Sequence, residues 1–267
     1  DSDGVTGVML DDGTMIPARK VVYNGDPRAL ALGQLGDMPS PVAPQTRKTK
    51  RSLSANVWSF AATPQGADLA HHNVFFCADP AREFADLAQG RIPADPTLYL
   101  CAEDRGTTHV VPNLERFEII MNAPPLSLRA PQPEDSATCH TRTFRTLERF
   151  GLTFSPEPET PALTMPSGFD ALFPATEGSL YGQSPHGMTA ALKRPGAKTQ
   201  VPGLYLAGGG CHPGAGVPMA AISGRHAAEA ILMDRTSTCT SPRTAMPGGM
   251  SMGSRTAGPV LFRSSGS

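Results

Sequence analysis

No Cys-x-x-C pair, no G-K-[ST] and no apolar run approaching the roughly 20 residues that cross a bilayer occurs in these 267 residues. Each absence closes a class. The five cysteines, Cys77, Cys101, Cys139, Cys211 and Cys239, are far apart and odd in number. That argues against a disulfide framework or a structural zinc site and for a reducing compartment. His71-His72 lacks the i, i+4 spacing of a zinc-protease helix, so surface or hydrogen-bonded histidines are expected and no metal. The 23 basic and 24 acidic residues leave a net charge of −1 with no basic stripe, and so no means of neutralising a phosphate backbone. No nucleic-acid partner is expected. The first residues, Asp1-Ser2-Asp3-Gly4, carry neither an initiator Met nor a signal-peptide pattern, so the chain reads as the interior of a longer protein.

What is present is glycine and proline, 27 of each, spaced between short apolar runs. Residues 5–10 alternate and meet the turn signal Asp11-Asp12-Gly13. Thr14-Met15-Ile16 resumes the pattern, and Val21-Val22-Tyr23 suits a buried strand. A short helix is expected over 28–35, then a breaker-rich connection over 39–44. Arg47-Lys48-Thr49-Lys50-Arg51 reads as a solvated basic face, with a contact to anionic lipid as the alternative. Strands are expected over 52–62, 72–77, 97–102 and 116–122, with helices over 79–89 and 134–150, the latter carrying Leu147 and Phe150 on one side. This middle region suggests a mixed sheet with few helices. Residues 168–174 read as irregular, and beyond Asp234 the Ser/Thr/Pro/Gly/Met composition predicts disorder.

The chemistry is concentrated over 201–225. Leu204-Tyr205-Leu206-Ala207 is a short buried strand that runs into Gly208, Gly209 and Gly210, where backbone lies bare of Cβ atoms. The loop Cys211-His212-Pro213-Gly214-Ala215-Gly216 follows, and a helix is expected from Pro218 to Met233. Its small residues Ala220, Ala221, Gly224, Ala227 and Ala228 permit close packing on a sheet. Strand, glycine loop and helix start together offer backbone N–H groups to an anionic or carbonyl-bearing ligand. The segment holds no G-x-G-x-x-G, so it is not the primary dinucleotide fingerprint. A glycine-rich crossover without any ligand fits the same spacing. Cys211 reads as a small packing residue and His212 as a loop residue facing a cavity.

The run Gly203-Leu-Tyr-Leu-Ala-Gly-Gly-Gly-Cys-His-Pro-Gly-Ala-Gly-Val-Pro218 resembles the C-terminal signature of the phytoene-type carotenoid desaturases, and most of 5–233 shares the likeness. Among them it is most similar to the hydroxyneurosporene and methoxyneurosporene desaturases of purple phototrophic bacteria. The resemblance implies an α/β (α+β) fold of the flavin amine-oxidase type. An incomplete Rossmann-like FAD-binding domain would comprise 1–30 and 166–234, a mixed-sheet substrate domain 31–165, and a disordered tail 235–267. It further implies FAD as cofactor, with Gly208, Gly209 and Gly210 near the ribityl chain and Val217, Pro218 and Met219 at the ring. The implied partners are a carotenoid substrate, a membrane surface contacted peripherally from the cytoplasm, and an N-terminal half that is absent here and needed to hold FAD. A tunnel for an apolar polyene would draw on Phe75, Phe76, Leu98, Leu100, Ile119, Ile120 and Met121. No catalytic residue is assigned. The rival readings are a non-catalytic fragment or binding module, and a carotenoid isomerase or amine oxidase of the same superfamily. The His-Pro-Gly-Ala-Gly run disfavours the amine oxidase.

Overall fold

The computed structural model describes residues 4–106, 110–128, 135–187 and 189–239. The chain opens with the expected ribbon, β1 (Gly7–Met9) antiparallel to β2 (Met15–Pro17). Its turn closes because Gly13 takes a positive φ of 83° and Asp12 accepts the Thr14 N–H at 2.8 Å. Strand β3 (Val21–Tyr23) follows, then the short α1 (Pro27–Ala31), whose first turn is capped by the Asp26 carboxylate accepting Arg28 N–H. Strand β3 is less enclosed than its three apolar residues predict: Val22 is 47% exposed.

The centre of the molecule is an antiparallel sheet in the order β5-β6-β7-β4-β8. Its strands are β4 (Ser54–Gly66), β5 (His72–Phe75), β6 (Leu98–Ala102), β7 (Glu115–Ala123) and β8 (Leu152–Ser155), with β9 (Leu163–Thr164) added against Val57 and Trp58. The described pairings in it are all antiparallel, where the sequence led us to expect a mixed sheet. Helix α2 (Pro80–Ala88) starts on the Asp79 cap, and α3 (Ser136–Arg149) on the Asp135 cap. Alternation sorts β6 and β7 cleanly: Leu98, Leu100, Phe117, Ile119 and Met121 are buried, while Tyr99, Cys101, Glu118 and Ile120 lie half-buried on the other face. The buried set packs with Trp58, Leu147 and Phe154 into one core. Phe150, expected beside Leu147, is 45% exposed and meets Phe75 instead, with centroids 5.2 Å apart.

Most of the stretch 168–174, read as irregular, falls in α4 (Pro166–Leu172), begun by a proline at a position where a missing N–H does no harm. The chain then returns to its beginning. Strand β10 (Leu204–Leu206) pairs parallel with β3, Leu204 opposite Val21 and Leu206 opposite Tyr23. Helix α5 (Val217–Cys239) packs on β10. It continues past Asp234, where the tail was expected to begin, because no proline or glycine occurs before Pro242. The remainder of that tail, 240–267, lies outside the described residues.

Candidate functional site

The parallel pairing of β3 and β10 brings Asn24-Gly25-Asp26 alongside Ala207-Gly208-Gly209-Gly210, so two loops 180 residues apart in sequence meet at the carboxyl ends of neighbouring parallel strands. Ligands of α/β folds bind at this end. The three consecutive glycines stand in three different environments. Gly208 is buried with φ of 105°, and its N–H donates to Ser223 Oγ on α5 at 3.0 Å. A Cβ on it would lie 3.3 Å from the Asn24 carbonyl. At Gly210 a Cβ would stand 2.7 Å from Pro27 Cδ, so this glycine is needed for α1 to pack on the loop. Gly209 has neither constraint: a Cβ there would meet only Ala215 Cα, at an ordinary 3.7 Å. Gly216, with φ of 97°, has nothing within 4 Å of the corresponding point. The loop therefore has two positions where bare backbone is not required by packing, Gly209 and, facing open space just before α5, Gly216.

Helix α5 begins where predicted. Val217, Pro218 and Met219 are all exposed, Val217 to 85%, which is an unusual way to start a helix in water. The same helix is anchored at its other end by Tyr205, whose hydroxyl donates to Asp234 at 2.8 Å and accepts from Lys20 at 2.9 Å.

Beneath the loop lies a charged group that the sequence reading missed. Arg51, at the end of the run read as a solvated basic face, is buried and ion-paired with Asp26; Arg47, Lys48 and Lys50 remain exposed as expected. The correction follows from position, since Arg51 immediately precedes the sheet and is carried inward by it. Arg194, also buried, donates to the carbonyls of Gly209 (2.7 Å), Gln183 (2.8 Å) and Tyr181 (2.9 Å). Burial pushes its pKa down, with Asp26 opposing. One side chain thus holds the Gly209 carbonyl in place. Nothing near Arg194 in the sequence announces this.

Cys211 packs against Leu30 and Leu206 and is fully buried. Burial, reinforced by the charge of Asp26, lifts its thiol pKa to about 12, so it stays protonated at neutral pH and is a packing residue, not a nucleophile. The His212 ring makes a 3.2 Å contact from Nδ1 to the Ala191 carbonyl and stacks parallel to His226, with centroids 6.1 Å apart. The proposed tunnel residues do not come together: Leu98, Leu100, Ile119 and Met121 are core, while Ile120 points to the opposite face and Phe76 is 70% exposed. A strand's two-residue period splits such a set in advance. A cleft of about 860 Å³ lies elsewhere, along α3, and is lined by Thr141, Arg142, Arg145 and Arg149. Its three arginines place charge along a wall that a polyene has no group to pair with.

Residues 138–232 match the family of flavin containing amine oxidoreductases. A hydroxyneurosporene desaturase of Cereibacter sphaeroides is 60% identical over 87% of this chain and 46% of its own length. One from Rhodobacter capsulatus is 53% identical over 87% and 47%, and one from Rubrivivax gelatinosus 43% identical over 94% and 49%. Over most of its length the chain is similar to members of the carotenoid desaturase family. It spans about half the length of these desaturases. The family is one of FAD-dependent oxidoreductases with the flavin amine-oxidase type of α/β fold. The glycine loop fits that cofactor: backbone is bare at Gly216, where a Cβ would occupy open space, and at Gly209, where it would meet only Ala215, and the helix start beside it exposes apolar side chains that suit a flat ring.

Proposed function

We propose that this chain is the part of an FAD-dependent carotenoid desaturase that seats the isoalloxazine end of the flavin. The observation that carries this is the bare backbone at Gly209 and Gly216, which no packing contact requires, leading into the exposed helix start at Val217, Pro218 and Met219. Gly208, Gly209 and Gly210 form the floor beside the ribityl chain, with Gly209 making the close approach and its two neighbours fixing the loop. Val217, Pro218 and Met219 lie at the ring, and a backbone N–H of the first helical turn meets its pyrimidine edge. Residues 4–30 and 166–234 make up the flavin-binding unit, and 31–165 the substrate-binding unit.

The complete enzyme removes two hydrogens from a neurosporene-type carotenoid such as a 1-hydroxy or 1-methoxy derivative; the names of the relatives support the hydroxy form. Bound FAD supplies the two-electron acceptor. The residues described here position the ring and keep its surroundings dry. Exposed Leu172 (68%) and Phe173 (60%) at the end of α4 supply an apolar surface for peripheral contact with a cytoplasmic membrane face, where such a substrate resides. No helix among the described residues is long and apolar enough to cross a membrane.

Expression of the complete reading frame in a host accumulating neurosporene or its 1-hydroxy derivative, with pigment absorbance as readout, is expected to lengthen the chromophore. An unchanged pigment overturns the desaturase assignment, and a change of isomer without loss of hydrogen points to an isomerase. The 267 residues alone are expected to hold FAD weakly and to leave it behind on gel filtration. One tightly retained FAD per chain contradicts the proposal that the rest of the family's length holds the ADP end. Flotation of the complete protein with vesicles tests the membrane contact, and a protein wholly absent from the lipid fraction sinks that part.

A further inference from the structure

Strand pairing assembles a cluster of donor atoms far from the glycine loop. His72 on β5 stands directly opposite Cys101 on β6. Side chains opposed in this way share a face, with Cβ atoms about 4.5–5.5 Å apart. His71, one residue earlier, turns its ring toward the same point: its Nε2 is 3.9 Å from Cys101 Sγ, and its centroid is 4.2 Å from that of His72. One donor atom from each of the three residues lies within 4.8 Å of the others.

We propose that His71, His72 and Cys101 form a binding site for a borderline-soft transition-metal cation such as Zn2+, with two imidazole nitrogens and one thiolate as ligands. Four observations support it. First, His71 Nδ1 lies 2.9 Å from the Ala102 carbonyl, which only accepts, so Nδ1 carries the proton and Nε2 presents its lone pair toward Cys101. Metal-binding histidines are fixed by this kind of outer partner. Second, His72 Nδ1 is held 2.8 Å from the Tyr99 hydroxyl, which sets the plane of that ring as well.

Third, the segment that carries the histidines is clamped. The Asn73 side chain accepts from Ala70 N–H at 2.9 Å and donates to its carbonyl at 2.8 Å, and Arg105, ion-paired with buried Glu115, donates to Leu69 O at 2.6 Å. Gly106 comes so close that a Cβ there would lie 3.1 Å from His71 Cβ. Fourth, His72 is exposed while His71 and Cys101 are half-buried, so one side of the cluster is open for an ion to enter and for water to complete the coordination. Metal bonds of about 2.0–2.3 Å place neighbouring donors roughly 3.3–3.7 Å apart. Closing the present spacing needs a movement of about 1 Å, within reach of the exposed His72 side chain. Binding converts the Cys101 thiol to thiolate and releases its proton to solvent. His71-His72 lacks the i, i+4 spacing that marks a metal site in sequence, and the third ligand is 30 residues from His71, delivered by strand register.

The test uses the 267-residue chain, stripped with chelator and titrated with Zn2+, and with Co2+ as the coloured probe. About one ion per chain is expected at micromolar concentration, the Co2+ form showing a sulfur-to-metal absorption band. Cys101→Ser is expected to abolish that band and, like His72→Ala, to weaken Zn2+ binding by more than about 100-fold, while Tyr99→Phe weakens it about 10-fold. Cys239→Ser is expected to leave both unchanged. Cys101→His guards against a folding artefact, since it should restore Zn2+ binding without the band. Absence of binding by the wild-type chain overturns the proposal. So does a band that survives Cys101→Ser, or a failure of Cys101→His to bind the ion. None of these readouts involves flavin, so they stand or fall independently of the desaturase reading.

Discussion

The antiparallel sheet and the parallel pair β3–β10 are held together by different forces. The sheet gathers Trp58, Leu98, Leu100, Phe117, Ile119, Met121 and Leu147 in one continuous apolar cluster. The parallel pair has two small clusters of three buried residues each, Leu30 with Leu206 and Cys211, and Tyr205 with Ala207 and Ala227. Parallel strands are normally covered on both faces, and two strands are too few to close a core. Here buried hydrogen-bonded charge substitutes for apolar area: Arg51 with Asp26, and Arg194 with three carbonyls. Such groups hold a loop in one shape more than they stabilise a fold. The region that carries the proposed flavin seat is therefore the less self-sufficient of the two.

The largest expected effect belongs to the sheet. Trp58 is fully buried, makes edge contacts with Phe144 (centroids 5.1 Å) and His140 (5.4 Å), and donates to Thr143 Oγ1 at 3.3 Å. Trp58→Ala should lower the stability of the sheet by about 3–5 kcal/mol, read by urea unfolding followed by circular dichroism. A loss below about 1 kcal/mol would mean that the apolar cluster is not what holds this region.

Next is the ion pair. The side chains of Arg51 and Asp26 are 3% and 7% exposed, and Arg51 also donates to the Thr176 carbonyl at 3.1 Å. Arg51→Ala strands Asp26 in a dry site, and removing one member of a buried pair costs about 3–5 kcal/mol. Trp58 is the single tryptophan of the chain and sits in the sheet. Its fluorescence should therefore keep a nearly unchanged unfolding midpoint in Arg51→Ala while the circular-dichroism transition broadens or splits. Coincident shifts of both signals would show that the two regions melt as one cooperative unit and would break the comparison.

The same contrast decides how much was legible in advance. The sheet announced itself, because apolar alternation and β-branched runs report burial directly: β4, β6 and β7 fall within a few residues of their predicted ranges. The strand–glycine–helix passage was equally plain in Leu204-Tyr205-Leu206-Ala207 followed by three glycines. Hidden were the groups whose role depends on distant chain. Arg51 looked like one more surface charge until β4 carried it beside Asp26. Arg194 has no local pattern and is defined by the three carbonyls it reaches. Identical letters at 208, 209 and 210 concealed three different environments, because a glycine says only that a side chain is absent. Helix α4, within a stretch read as irregular, is short and carries Gly168, and Pro166 occupies its start.

The smallest effect on stability, and the most discriminating for function, lies within that glycine run. Gly210→Ala forces a Cβ to within 2.7 Å of the rigid Pro27 ring and should destabilise the parallel region by about 1–3 kcal/mol. Gly209→Ala meets only Ala215 Cα at 3.7 Å, and Gly209 is not among the glycines with positive φ. Its stability should change by no more than about 1 kcal/mol and in the favourable direction, because alanine restricts the unfolded chain more than glycine does. In the complete protein the order should reverse if the bare backbone at Gly209 is where the flavin comes close. Gly209→Ala, and more so Gly209→Val, should then lose FAD while retaining the unfolding midpoint of the flavin-free protein. Flavin absorbance per protein, measured beside a denaturant titration of the apoprotein, separates the two quantities. Full flavin content in Gly209→Val would place the cofactor away from this loop and leave the three glycines as a packing device alone.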